Sequence, residues 1–279
     1  MGLSESPRSR CVAGLTPTTF PMREGFPLLK DGRHTRKRGR VSLARSGYRA
    51  AVTDVSGLRP EVIAFDVIET LASLEVVGAR LEQLGQPADL LHRWFIRLLR
   101  DGMALTAAGD FQPFAAVAAS ALRAETVDVL SDDDVQHAVT GFTQLTPQPD
   151  AVDAVRAARE AGFRVITVSN GAASSTRGFL DRAGIAGDVE DVVSIEDARA
   201  WKPSPEPYRL AAQRADVPIE RMALVAVHSW DVYGARRVGC TTGWCPRLEG
   251  VPSPVFGEAT VTAASLTGVV AGLAALPEG

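Results

Sequence analysis

From Asp150 to Trp244 helical and extended stretches take strict turns, and this alternation limits the fold more than any other feature of the chain. Asp150–Ala161 reads as a helix closed by Gly162, Arg164–Val168 as a buried strand, and Ala173–Ala183 as a helix ended by Gly184. Val189–Ile195 holds a short strand, Pro205–Ala215 a helix, Met222–Val227 a strand, Asp231–Val238 a helix and Thr241–Trp244 a last short strand. Such alternation implies parallel strands joined by helical crossovers. One earlier strand, Val62–Val67, is short, apolar and β-branched. Between it and Pro147 the residues 73–145 carry helical periodicity and no strand. Leu90, Leu91, Trp94, Phe95, Leu98 and Leu99 repeat at helical spacing, with Arg93, Arg97 and Arg100 on the other face. Ser131 starts a further helix, its first turn carrying Asp132, Asp133 and Asp134. The expected fold class is α/β: a doubly wound parallel, Rossmann-like sheet with a helical cap inserted after the first strand. The core would comprise residues 59–73 and 146–279, and the cap residues 74–145.

Residues 1–58 differ in kind. They are rich in Arg, Ser, Gly, Pro and Thr without a sustained apolar period. Residues 1–50 hold nine Arg and two Lys against three acids, an excess of +8, so the other 229 residues carry −11 of the net −3. A disordered basic extension, or a start codon placed too far upstream, is the plain expectation. The run Arg33–Arg40 is also open to reading as a nucleic-acid or targeting patch. The acidic body argues against a nucleic-acid groove there. Cys11, Cys240 and Cys245 make neither a disulfide framework nor a zinc spacing, so free thiols in a reduced, cytoplasmic setting are expected. No apolar run reaches the ~18 residues of a membrane span, so no membrane partner is expected.

Polar residues follow the apolar strands in a set order. Asp66 ends the run Val62-Ile63-Ala64-Phe65, where burying a carboxylate is costly unless it is used. Strand carboxyl ends are where ligands bind in such a sheet. Val67, Ile68, Glu69 and Thr70 follow it, with no second acid at the two next positions. Later come Ser169-Asn170-Gly171, then Trp201-Lys202-Pro203 with Tyr208 beyond, then His228-Ser229-Trp230-Asp231 with Gly234-Ala235 beyond. Gly171 permits close backbone approach ahead of a helix amino terminus, a natural anion site.

The order of these motifs resembles the haloacid dehalogenase superfamily over roughly residues 60–250, most closely its type II, L-2-haloacid dehalogenase-like branch. The resemblance makes Asp66 a nucleophile that forms an ester, and Thr70 a hydrogen-bonding partner of its loop. Ser169 would hold a reacting carboxylate, Asn170 would help bind halide, Lys202 would stabilise charge, and Asp231 would orient Lys202 and the hydrolytic water. Val67, Ile68, Phe95, Tyr208, His228 and Trp230 are candidates to line the substrate pocket. Family phosphatases carry a general acid two residues after the nucleophile. Ile68 cannot transfer a proton, and a departing halide needs none. Magnesium-dependent members also place an acid four residues before the last one, where this chain has Val227. Two carboxylates remain, enough to keep magnesium open.

Four positions stay two-sided. Glu69 stands where the dehalogenase loop has glycine, and either faces solvent or enters the site. His228 stands where dehalogenases have asparagine, and either replaces its hydrogen bond, acts as a base, or is structural. Tyr208 is a site residue or helix core. Phe95 follows Trp94 where those enzymes carry a halide-receiving arginine, and Arg97 or Arg100 either compensates or belongs to a solvated face. The first expectation is therefore a cytoplasmic hydrolase cleaving the carbon–halogen bond of an (S)-2-haloacid through an aspartyl ester, with no cofactor and no metal. A magnesium-dependent phosphatase-like hydrolase is the second, and a non-catalytic small-molecule-binding or interaction protein the third. The resemblance also raises a homodimer.

Overall fold

The computed structural model describes residues 57–278, so the expectation for residues 1–58 lies outside it save for its last two positions. The chain runs β1 Val62–Phe65, β2 Ala72–Ser73, α1 Glu75–Gln83, α2 Leu90–Ala107, α3 Phe114–Glu125, α4 Asp132–Thr140, β3 Thr146–Pro147 and α5 Ala151–Glu160. It continues through β4 Arg164–Ser169, α6 Ala173–Ala183, β5 Asp191–Ser194, α7 Ile195–Ala198, α8 Pro205–Arg214, β6 Met222–Ala226, α9 Ser229–Val238, β7 Thr241–Trp244, β8 Val261–Thr262 and α10 Leu266–Ala274.

Six strands form one parallel sheet in the order β5-β4-β1-β6-β7-β8. Every residue of β1, β6 and β7 is buried, as strands covered on both faces must be. Period-two alternation divides their side chains. Ile63 and Phe65 join the apolar layer that includes α5, α6 and α10, whereas Val62 and Ala64 join the layer under α8 and α9. The order reverses at β1, which lies between β4 and β6. Its carboxyl end therefore opens on the crevice where doubly wound sheets bind ligands.

The expected strands and helices are present within a residue or two. The Val62–Val67 strand stops at Phe65, and the helix expected from Asp231 begins at Ser229. Between β2 and β3 only helical elements occur among the described residues. Against the expectation of no strand in this stretch, Ala72↔Pro147 and Ser73↔Thr146 pair as a two-residue antiparallel ribbon at its flanks. Pieces that short have too few residues to show a period. At α4, Ser131 Oγ accepts from the Asp134 N–H at 3.2 Å and the Asp134 carboxylate accepts from the Ser131 N–H at 3.3 Å, a reciprocal cap.

α2 ties the helices to the core loop that carries Lys202. Leu90, Trp94, Phe95 and Leu98 are buried, and the Trp94 indole N–H donates to Ala118 O at 2.8 Å. Phe142 contacts Trp94, Phe95 and Phe114, and Phe114 stacks on Trp201 at 5.8 Å. The Trp201 ring lies flat against Gly102. A Cβ there would fall 2.3 Å from Trp201 Cδ2, so α2 passes this ring only as glycine. Cys240 and Cys245 are free and buried.

Candidate active site

Three strand-end segments converge on one lysine. Asp66 leaves β1 with its backbone N–H donating to Val225 O of β6 at 3.0 Å. The fully buried Lys202 ammonium donates to Asp66 Oδ1 at 2.7 Å, Asp231 Oδ2 at 2.6 Å and Val168 O at 2.9 Å. All three of its protons are thereby used. Thr70 Oγ1 donates to Asp66 Oδ2 at 2.7 Å and accepts from the Val227 N–H at 3.1 Å, bridging β1 to β6. Tyr208 is no plain core residue, for its hydroxyl donates to Asp231 Oδ1 at 2.6 Å. Asn170 Oδ1 accepts from the Lys202 backbone N–H and Ser169 Oγ from the Gly171 N–H, each at 3.0 Å. Gly234 supports the same loop: a Cβ there would meet Pro203 at 2.5 Å and the Tyr208 hydroxyl at 2.8 Å.

Burial alone would raise the Asp66 carboxyl, but the Lys202 charge and His228 outweigh it and hold Asp66 well below the ordinary carboxylate range. For Lys202, burial opposes the charge, and Asp231 and Asp66 together push the ammonium above its usual value. Asp231 is raised, by burial first, against the pull of Lys202, with Asp66 adding repulsion. The outcome is an ionised Asp66, fixed through both oxygens.

Glu69 enters the site. Its backbone is left-handed at φ 67°, and its carboxylate lies 2.9 Å from His228 Nε2. His228 Nδ1 lies 3.7 Å from Asp66 Oδ2. Burial disfavours the imidazolium, yet Asp66 and Glu69 overcome it and raise His228 from 6.5 to about 9. Folding therefore binds a proton between these values. The stabilisation is complete below pH 6.5 and is lost as pH rises through 9, on the order of 3 kcal/mol in all. The urea midpoint should fall between pH 6.5 and 9.5, and His228→Asn should flatten that slope. A midpoint that holds or rises in wild type contradicts the assignment.

Two cavities flank the loop after Asp66. Val67, Ile68 and Ser169 line one of about 140 Å³ with Phe142 and Phe179. Glu69, Phe95, His228 and Trp230 line another of about 440 Å³ with Leu91 and Leu99. Neither has an arginine in its wall. Arg97 is bound to Glu125 and Arg100 to Asp101, so both belong to the solvated face and neither replaces the arginine missing at Phe95.

The donor set does not fit magnesium. Both Asp231 oxygens are taken by Lys202 and Tyr208, and the ammonium stands between the two carboxylates. Ile68 and Val227 bring no side-chain oxygen. Among the described residues no group of three or more His, Cys, Asp or Glu side chains is placed to hold a metal.

The doubly wound sheet gathers a carboxylate, a lysine and a second carboxylate at its switch point. A haloacid dehalogenase-like hydrolase family model matches residues 60–239, and the chain belongs to that family. Haloacetate dehalogenase H-2 of Moraxella sp. (strain B) is 30% identical over 192 residues, spanning 67% of this chain and 86% of that enzyme. An (S)-2-haloacid dehalogenase of Pseudomonas putida is 27% identical over 193 residues, spanning 67% and 85%. The solved L-2-haloacid dehalogenase of Xanthobacter autotrophicus superposes with a TM-score of 0.68 at 20% identity, over 76% of this chain and 97% of that one, a likeness of fold. Among the described residues no helix is long and apolar enough to cross a membrane.

Proposed function

We propose that this hydrolase cleaves the carbon–halogen bond of a small (S)-2-haloacid. The observation that carries this reading is Asp66, hydrogen-bonded through its two oxygens by Lys202 and Thr70, with an isoleucine where a leaving alkoxide would need a proton donor. An Asp66 oxygen attacks C2 from behind the carbon–halogen bond, halide departs with the bonding pair, and an aspartyl ester with inverted C2 remains. Water then attacks the ester carbonyl, releasing the (R)-2-hydroxy acid and restoring the carboxylate. Lys202 steadies the developing charge, Asp231 orients Lys202, and Ser169 and Asn170 offer polar contacts to the substrate carboxylate and the halide. Glu69 and His228 are placed to act on the water. Residues 74–145 serve as the cap over a core of 59–73 and 146–279, and Phe95 and Trp230 wall the substrate chamber. The proposed setting is the cytoplasm, supported by the two free thiols.

The missing arginine favours one further reading, a protein that binds a haloacid-like anion without turning it over. One experiment separates the cases. Halide release from chloroacetate and (S)-2-chloropropionate is expected with and without EDTA alike, and a single turnover in H₂¹⁸O should label the Asp66 carboxylate. Magnesium-dependent cleavage of p-nitrophenyl phosphate without halide release would overturn the proposal, and tight binding without halide release would support the binding protein instead.

A further inference from the structure

His228 lies between two carboxylates of unlike fate. The residue is 6% exposed, and its Nδ1 is a buried polar atom with no hydrogen-bond partner. A carboxylate only accepts, so Glu69 at 2.9 Å requires a proton on Nε2. Nδ1 is then the atom that gains or loses the second proton, and it looks across 3.7 Å at Asp66 Oδ2. Glu69 reaches this place from a left-handed backbone conformation that favours glycine. The other charged or titratable groups around the ring are Lys202 and Asp231 behind Asp66, with His92 and Glu249 in the same cavity wall. Glu249 already accepts from the Ser229 N–H at 3.0 Å.

These placements meet a difficulty in the water step. With Asp66 ionised, His228 is raised to about 9 and is an imidazolium at neutral pH, which cannot take a proton from water. Ester formation removes the charge facing Nδ1. An opposite charge at this range changes a buried group's proton affinity by about 10- to 10³-fold.

We propose that His228 changes protonation state in step with Asp66: doubly protonated while Asp66 is a carboxylate, singly protonated once the ester has formed, and in that second form the general base, oriented by Glu69, for hydrolysis. The idea rests on the aspartyl-ester reading above. The protons balance. Alkylation of Asp66 expels halide, and His228 then loses its Nδ1 proton to solvent. His228 takes one proton from the attacking water as the hydroxyl bonds to the ester carbonyl carbon. It passes that proton to the departing alkoxide, leaving Asp66 as a carboxylic acid. Asp66 returns its proton to Nδ1, and both groups are as they began. The sum is haloacid plus water giving hydroxy acid, halide and one proton, with the proton leaving beside the halide rather than with the alcohol.

Two measurements on the full chain test this. The first needs no turnover. In ¹⁵N-histidine-labelled protein the His228 titration should fall at least tenfold in proton affinity in Asp66→Asn, a neutral stand-in for the ester, and fall also in Glu69→Gln. A titration unmoved in both variants overturns the proposal, whatever the substrate proves to be. The second is rapid mixing with (S)-2-chloropropionate and a pH indicator near pH 8. Wild type should release one proton per halide before the hydroxy acid appears. His228→Asn should release halide without that early proton and accumulate the ester, seen as added mass on Asp66. A proton that appears only with the hydroxy acid in wild type overturns it. Absence of any halide from wild type would sink the dehalogenase reading, while the titration would still decide the coupling between Asp66 and His228.

Discussion

Asp66→Asn is expected to cut halide release by roughly 10³-fold or more, the scale on which a covalent nucleophile's removal is felt. The carboxamide keeps the shape of the side chain: its one oxygen can accept from Lys202, and its NH2 then faces the Thr70 hydroxyl, which must turn to accept from it. Its oxygen lacks the anionic charge that displaces a halide, and Lys202 remains paired with Asp231 at 2.6 Å. The loss should therefore appear in kcat, with a protein that stays folded at the assay temperature though less stable than wild type, since the Asp66 charge no longer faces Lys202 and His228. It should also come without any mass added to the protein during turnover, whereas wild type quenched early should carry the alkyl group. An Asn variant that turns over as fast as wild type would remove Asp66 from the chemistry and leave the lysine centre a structural ion cluster. Two positions on, Ile68→Asp would restore a proton donor but place a carboxylate in the apolar wall shared with Phe142 and Phe179.

The parts of this site that could be read from the chain are those where a strand's end fixes the place of a side chain. Asp66, Ser169, Asn170 and Asp231 each follow an apolar run, and parallel pairing brings such ends together, so their order in the chain implies their nearness in space. Lys202 needed the resemblance, because it sits on a loop whose path no periodicity describes. Glu69 and His228 are 159 residues apart, and their contact depends on a left-handed turn after β1 that a glutamate gives no sign of adopting. The arginines of α2 were ambiguous for a like reason. Helical spacing placed them opposite the apolar stripe, but only the arrival of Glu125 from α3 decides that Arg97 is engaged away from the site. β8 forms the edge of the sheet beyond Trp244 and α10 follows it, where Gly and Pro interrupt the sequence and α10 has no polar face to set a period.

Lys202→Met should be the most damaging single change to stability as well as to rate. The side chain is fully buried, and its ammonium is the shared partner of two buried carboxylates and a strand carbonyl. Methionine fills a similar volume and leaves Asp66 and Asp231 facing a site with no lysine. Removing one partner of a buried ion cluster typically costs 3–5 kcal/mol, because the stranded charge, not the lost attraction, dominates. The sign of the pH dependence distinguishes this from a packing defect. In wild type Asp66 lies below its unfolded value of 3.8, so its contribution is present above that pH and fades as pH falls. Without the ammonium, burial lifts the two carboxyls above their unfolded values, and the variant then holds protons that the unfolded chain has lost. Its deficit should be largest near pH 8 and shrink toward pH 4. A simple packing defect would give a deficit that does not vary with pH. Adding Asp231→Asn to Lys202→Met should restore part of the stability at pH 8 by removing one stranded charge. It should not restore halide release, since Asp66 then lacks the ammonium that pairs with its charge and fixes its Oδ1. Recovery of activity in that double variant would mean that Lys202 serves only to balance charge in the fold.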